Sequence, residues 1–323
     1  MEVMSSRDWL GEGRTRAALR AELRAGRLVQ PRLGMVAPAD EADAALGHRR
    51  RLVATLPFLG PDTYFSHTSA ATLHGLPLLA KRHGETVVVR TGGGHGNINP
   101  TLHARRAVLG EGEVAVVDGL PVTSLARTVG DLVRSLPFPE AVMVADAGLA
   151  RGLQRGDLLA RTASGRGCRL AARVLLFADP RAESPGESLS RVRLAQAGLP
   201  RPELQKRFFG ADGGFLGRGD FWWEEFGLIG EFDGAAKYEA LLRPGQTATQ
   251  AILAEKRREQ ALQDAGFTLI RWTWADLWTP GLSDRIRRAM TRPSPRATHP
   301  HRAPASGAGP HAQRVALDGG GAG

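Results

Sequence analysis

The sequence predicts an α/β (α+β) protein built from several units. Three observations carry that expectation: a length of 323 residues, helical and strand periodicities that alternate along the chain, and two neighbouring strands after residue 217 that carry carboxylates among apolar residues. A chain this long exceeds the usual single-domain size, and its 42% hydrophobic content suffices for a core. No uninterrupted apolar run approaches the roughly 20 residues of a membrane-spanning helix, so no membrane partner is expected. The start, Met1 to Ser6, lacks the basic and apolar regions of a secretory signal, and Cys168 is the single cysteine. Both predict a cytoplasmic protein without a disulfide framework. The formal charge is +10 and predominantly arginine, which suits phosphate because a guanidinium donates two hydrogen bonds at once. GC-rich coding produces the same composition, so the motifs must decide.

Residues 1–40 read as a small nucleic-acid-binding segment. An apolar stretch at Trp9-Leu10 turns at Gly11-Glu12-Gly13 and leads into a helix from Arg14 to Ala25, with Ala18, Leu19 and Leu23 on one face and Gly26 as its stop. Two short strands follow, Arg27 to Gln30 and Pro31 to Val36, forming a wing. The helix carries Arg14, Arg16, Arg20 and Arg24, and the wing carries Arg27 and Arg32.

Residues 41–150 mix helix and strand. Helices are predicted at Asp43 to Leu56, Ser66 to Leu76, Ser124 to Ser135 and Pro139 to Ala150; strands are predicted at Thr86 to Arg90, Leu102 to Val108 and Val114 to Val122. Residues 151–180 form an arginine-rich helical connector, and residues 286–323, rich in Pro, Ala, Gly and His, are expected to be a disordered basic tail.

The chemistry concentrates in residues 181–285. Ser184-Pro185-Gly186-Glu187 starts a helix as a capping box, with Pro185 at the first helical position. Asp220 precedes the strand residues Phe221-Trp222-Trp223, and a second strand runs from Leu228 to Asp233. Glu231 and Asp233 point to one face of that strand. Carboxylates forced together repel unless a cation or a shared proton compensates. Hard oxygen ligands suit Mg2+ or Mn2+, which polarises a phosphate and acidifies an attacking water. A charged helix around Ala254 to Leu262 and a strand from Phe267 to Trp274 complete the order helix, strand, strand, helix, strand.

Asp220, a ten-residue gap and Glu231-Phe232-Asp233-Gly234 resemble the PD-(D/E)XK, or restriction-endonuclease-like, superfamily, especially its branch similar to very-short-patch repair endonucleases. The resemblance covers about 100 residues and implies an α/β/α domain with a mixed central sheet and metal-dependent endonuclease activity. It assigns Glu187 as the helix acid and Asp220 and Glu231 as the hairpin acids, with Asp233 as a further ligand or base. The lysine that the superfamily places two residues after the last acid is absent, because Asp233 occupies that position; Lys237 and Lys256 are the candidates to supply its charge. Gly13-Arg14-Thr15 through Gly34-Met35-Val36, together with Phe65 to Ala71 and His74 to Pro77, resemble the AbiEi antitoxins of type IV toxin–antitoxin systems. That resemblance implies an N-terminal winged helix on DNA and a cognate toxin as partner; a homodimer is kept alongside these.

Plainer readings stand beside each signal. Glu187 also serves as a helix cap, and Lys256, Arg257 and Arg258, read as phosphate contacts, fit nearly as well a solvated helix face paired with Glu255 and Glu259. Trp222, Trp223, Trp272 and Trp274 read as sheet core. Gly92 to Gly96 lacks the residues of a P-loop and reads as a hairpin turn. His67 and His74 are structural, and Cys168 has no partner base. The expectation is a DNA-binding metal nuclease; the alternatives are a regulator or antitoxin whose nuclease-like domain no longer cuts, and an adaptor without nucleic-acid function.

Overall fold

The computed structural model describes residues 3–39, 43–92, 102–234 and 247–291. Near the N-terminus, β1 (Met4–Ser5), α1 (Ser6–Gly11), α2 (Arg16–Arg24), β2 (Leu28–Arg32) and β3 (Met35–Pro38) form two helices and a three-stranded sheet in the order β1-β3-β2. The Thr15 hydroxyl accepts the Ala18 N–H at 3.1 Å and so starts α2 two residues later than the sequence suggests. Gly34, at φ 81°, makes the β2–β3 turn.

The middle of the chain is a mixed five-stranded sheet in the order β6-β5-β4-β8-β7. Its strands are β4 (Thr63–Phe65), β5 (Thr86–Arg90), β6 (Leu102–Arg106), β7 (Val114–Val117) and β8 (Leu120–Thr123), and α3 (Ala44–Thr55) and α4 (His67–Leu73) pack on it through Leu52, Ala70, Leu73, Val88 and Val122. The single strand expected over Val114 to Val122 is a hairpin, because Asp118 and Gly119 take φ values of 47° and 77°. Asp-Gly at consecutive positive φ is the two-residue turn that matches strand twist. Of the loop read at Gly92 to Gly96, residues 93–96 lie outside the described residues.

Four helices come next: α5 (Leu125–Ser135), α6 (Phe138–Ala150), α7 (Arg155–Arg161) and α8 (Cys168–Phe177). They build their own apolar core from Val129, Leu132, Val142, Leu158, Val174 and Leu175, among others. That core also includes Val192 of α9 (Pro185–Gln196), whose Leu189 and Leu194 belong to a different core below. Residues 151–180 are therefore packed structure and not a spacer.

The C-terminal sheet has the order β12-β11-β10-β9, formed by β9 (Glu203–Phe209), β10 (Phe215–Trp223), β11 (Leu228–Asp233) and β12 (Thr268–Thr273). β9, β10 and β11 are antiparallel, and β12 is parallel to β11. Successive side chains separate to opposite faces. Phe221, Leu228 and Trp272 join Leu189 of α9 and Ile286 of α11 (Gly281–Met290), while Trp222 and Ile229 join Leu262 of α10 (Ala248–Asp264). Helices thus cover both faces, and the tryptophans are core, as read from sequence.

Several elements escape the sequence reading, the short strands β1 and β4 among them. β9 is not anticipated, and residues 286–290, read as tail, complete α11 because Ile286 and Ala289 are buried in the sheet core. The rest of the expected tail, 292–323, lies outside the described residues. Among the described residues no helix is long and apolar enough to cross a membrane.

The two cores are joined by a buried ion pair. Arg191 of α9 donates to the Asp146 carboxylate at 2.7 Å and to the Phe177 carbonyl at 2.6 Å, and Asp146 also accepts the Asp179 N–H at 2.7 Å. Burial pushes the Asp146 carboxyl up to about 6, against the pull of Arg191. Removing one partner strands the other charge in the interior, which typically costs about 3–5 kcal/mol. Arg191→Met is expected to lower the urea-unfolding free energy by about that amount; an unchanged midpoint would show that the pair does not hold α9.

Candidate active site

Glu187 lies in the first turn of α9, 4% exposed. Its N–H donates to Ser184 Oγ at 3.2 Å, and its carboxylate accepts from Ser184 Oγ at 2.8 Å and from the Glu183 N–H at 3.0 Å. This is the capping role read from the sequence. The same carboxylate also accepts from Gln205 Nε2 at 2.8 Å, which no capping box requires. Helix and sheet approach closely here: a Cβ on Gly186 would lie 2.0 Å from the Phe232 ring.

Asp220, 9% exposed, stands on β10. One of its oxygens accepts the Phe232 N–H at 2.9 Å, and the other is 3.5 Å from Gln205 Nε2. Gln205 therefore bridges two carboxylates through a single amide nitrogen. Carboxylates at neutral pH only accept, so the amide must turn its nitrogen toward them. The cross-strand pairs Gly219↔Lys206 and Phe221↔Leu204 bracket Gln205 opposite Asp220. Gln205 has φ 57°, in the left-handed region that non-glycine residues seldom occupy. Its Oε1 is buried and has no hydrogen-bond partner among the described residues. Backbone strain and an orphaned polar atom on one side chain mark a functional constraint.

Burial raises the Glu187 carboxyl above its ordinary range, and the charge of Asp220 raises it further. The bonds from Glu183, Ser184 and Gln205 oppose that shift without cancelling it. The two acids are held together against their repulsion.

Glu231, also 9% exposed, faces different partners. Arg258 Nη2 on α10 donates to both of its oxygens at 2.8 and 2.9 Å, and Arg271 Nε on β12 donates at 2.9 Å. Glu255 and Glu259 of α10 complete the network on the same arginines. Burial works against the Arg258 charge, but Glu255 and Glu231 raise its pKa overall. Sequence reasoning weighs a solvated face for Arg258 against phosphate contact, leaning slightly to phosphate, and sees Arg271 only as an interruption of a strand. The register Glu231↔Arg271 sets one cation beside the acid, and the packing of α10 on the sheet brings the other.

Of the sequence-read metal set, the structure brings Glu187 and Asp220 together, turns Glu231 to arginines, and leaves Asp233 half-buried on the last residue of β11. Among the described residues no three His, Cys, Asp or Glu side chains converge as a metal set. Lys256 is exposed on α10, and its neighbours Glu255 and Arg258 reach toward the sheet instead. Lys237 lies outside the described residues.

At the N-terminus, α2 buries no residue, and Arg16, Arg20 and Arg24 on it are exposed. Arg14 precedes the helix, pairs with Glu12 at 2.7 Å and lies over Trp9. Arg27 makes a forked pair with Glu22, and Arg32 lies over the Phe58 ring. Arg24 Nε donates to the Arg20 carbonyl at 3.3 Å, so four of the six arginines already have protein partners. The histidines have structural surroundings: His74 Nε2 contacts the Thr123 carbonyl at 2.8 Å, and burial pushes His67 down to about 4.

No family model matches the chain. Two curated proteins of Mycobacterium tuberculosis, from different strains and described as uncharacterized proteins MT2308 and Rv2248, are each 32% identical to it over 284 residues, covering 86% of this chain and 98% of each relative. This chain belongs to their family. The match spans nearly the whole length of the MT2308/Rv2248 proteins, so the family comprises the full succession of units and not the C-terminal sheet alone. One solved structure, of the RV2827C protein from the same organism, is 16% identical and covers 65% of this chain and 84% of its own, at a TM-score of 0.36.

Glu187→Gln tests the crowding of the two acids. Its amide oxygen can keep the Glu183 and Gln205 donors while its nitrogen donates to Ser184 Oγ, so the charge alone is lost. An acid whose folded pKa is raised contributes most below its unfolded pKa and loses that contribution as pH rises through the folded value. The variant is therefore expected to melt higher than wild type at pH 8, with a smaller gain at pH 5, by differential scanning calorimetry. A lower melting temperature at pH 8 would contradict the crowding.

Proposed function

We propose that the C-terminal domain hydrolyses phosphodiester bonds in nucleic acid with a divalent cation, and that the arginine-bearing N-terminal segment, read as a winged helix, delivers it to DNA. The observation that carries this reading is the Gln205 bridge: two buried carboxylates held together by a strained residue with an unpartnered amide oxygen.

The donor set fits a hard cation such as Mg2+ or Mn2+. Glu187 and Asp220 present carboxylate oxygens, and a half-turn of the Gln205 amide would bring its oxygen to them in place of its nitrogen; oxygen-only sets of this kind select such ions. When bound, the ion would neutralise phosphate charge and acidify a water. The chain's own residues supply the rest. Ser184 and the Glu183 N–H fix one Glu187 rotamer, and the Phe232 N–H fixes Asp220. Preoriented charges of this kind lower the barrier because they need no reorganisation during reaction.

A second reading, that of a DNA-binding regulator or antitoxin with an inactive nuclease-like domain, is favoured by one observation. Glu231 is satisfied by two arginines, and Asp233 stands where the related enzymes have lysine.

With Mg2+ or Mn2+, wild type is expected to cut supercoiled plasmid or oligonucleotides, and Asp220→Ala is expected to lose at least about 100-fold in rate. DNA affinity should fall steeply with salt, and Arg16→Ala with Arg20→Ala should flatten that slope. Folded wild type that binds DNA and cuts no substrate with either metal would transfer the conclusion to the regulator reading.

A further inference from the structure

We infer that Arg258 and Arg271 form a phosphate-binding site that Glu231 occupies in the free protein. The inference rests on the nucleic-acid reading above and names the atoms that grip the backbone.

Both guanidinium groups converge on one anion. Arg258 Nη2 reaches the two Glu231 oxygens, and Arg271 Nε reaches one of them, all within 2.9 Å. A carboxylate held by two guanidinium groups offers them what the non-bridging oxygens of a phosphodiester would offer: a delocalised single negative charge on two acceptors. The arginines are also accessible, with side chains 23% and 33% exposed, while Glu231 lies beneath them at 12%.

Placement sets Glu231 apart as the exchangeable member, because it comes from β11 while Glu255 and Glu259 share α10 with Arg258. The cluster contains three carboxylates, Glu231, Glu255 and Glu259, against two guanidinium groups. Glu255 bonds Arg258 through Nε at 2.9 Å and Nη2 at 2.6 Å, and takes Arg271 Nη2 at 2.5 Å; Glu259 takes Arg271 Nη1 at 2.9 Å. These helix acids orient both arginines whether Glu231 is present or not. Gly217 adds a second restraint, because Arg258 lies directly against it, 3.2 Å from where a Cβ would be. A phosphodiester on the two guanidinium groups replaces one singly charged anion with another there, and the Glu231 carboxylate turns away from them to admit it. The exchange puts two positive charges on the scissile backbone, which the residue at the lysine position, Asp233, cannot do.

The test is binding in EDTA, where no cation-dependent step operates. Anisotropy of a fluorescein-labelled 12-nucleotide DNA strand at low salt should show Glu231→Gln binding about tenfold more tightly than wild type, the scale of one additional charge-assisted hydrogen bond. Glu225→Gln, which removes an exposed charge elsewhere on the domain, should not reproduce the gain. Adding Arg258→Ala and Arg271→Ala to Glu231→Gln should abolish it. Affinity unchanged by Glu231→Gln in a protein that retains its melting transition overturns the masking. Should the substitution prevent folding, wild type decides: titration with inorganic phosphate must move the Nε–Hε NMR signals of Arg258 and Arg271, and signals that stay fixed to saturation overturn the site. Wild-type cleavage with Mg2+ alongside an unaltered affinity in EDTA would remove the phosphate site and leave the nuclease reading standing. The reverse combination would keep the phosphate site and remove the nuclease.

Discussion

The docking of α9 between two cores is the constraint on which the C-terminal domain depends. Val192 packs among the helices that precede it, Leu189 and Leu194 pack on the sheet, and the Arg191–Asp146 pair fixes the rotation between them. With that rotation set, Gly186 meets the Phe232 ring and Glu187 is driven down toward Asp220. A larger residue at position 186 would lift the first turn off the sheet. The position of one acid is thus determined by a salt bridge more than a helical turn away, formed with a residue of the helical unit.

The domain handles its buried charge in two opposite ways. Around Glu231, arginines and acids alternate in a closed network that is nearly neutral and largely satisfied. Around Glu187 and Asp220 a neutral amide bridges the carboxylates, and burial together with the charge of Asp220 makes Glu187 harder to ionise. Burying carboxylates close together is expensive, so the two acid clusters on adjacent strands differ in what surrounds them: guanidinium groups at Glu231, an amide at Glu187 and Asp220.

Much of this is legible in the sequence. Ser184, Pro185 and Glu187 announce the start of α9, and the apolar runs flanking Asp220 and Glu231 announce their strands, because caps and alternation are local signals. β9 is not legible. Its buried residues Leu204 and Phe208 are four apart yet belong to clusters on opposite faces of the sheet, since Gln205 in the left-handed region rotates the strand between them. A period-two pattern cannot survive that rotation, and the residue responsible is the one that bridges the acids. Arg258 and Arg271 are hidden for another reason: one follows helical charge spacing and the other a strand, and only the parallel register of β11 with β12 together with the packing of α10 on the sheet brings them to the same carboxylate. The Asp118-Gly119 hairpin, by contrast, is written in a dipeptide that the expectation of a single strand overlooks.

The central claim is that the Glu187–Asp220 pair exists to hold a divalent cation. Isothermal titration calorimetry of Mn2+ into the metal-free full-length protein, with no nucleic acid present, addresses it directly, with Asp220→Asn measured in parallel. Saturable Mn2+ binding by wild type that is lost in Asp220→Asn is the predicted result. Folded wild type that takes up no Mn2+, or Asp220→Asn that binds it as well as wild type, would contradict the claim.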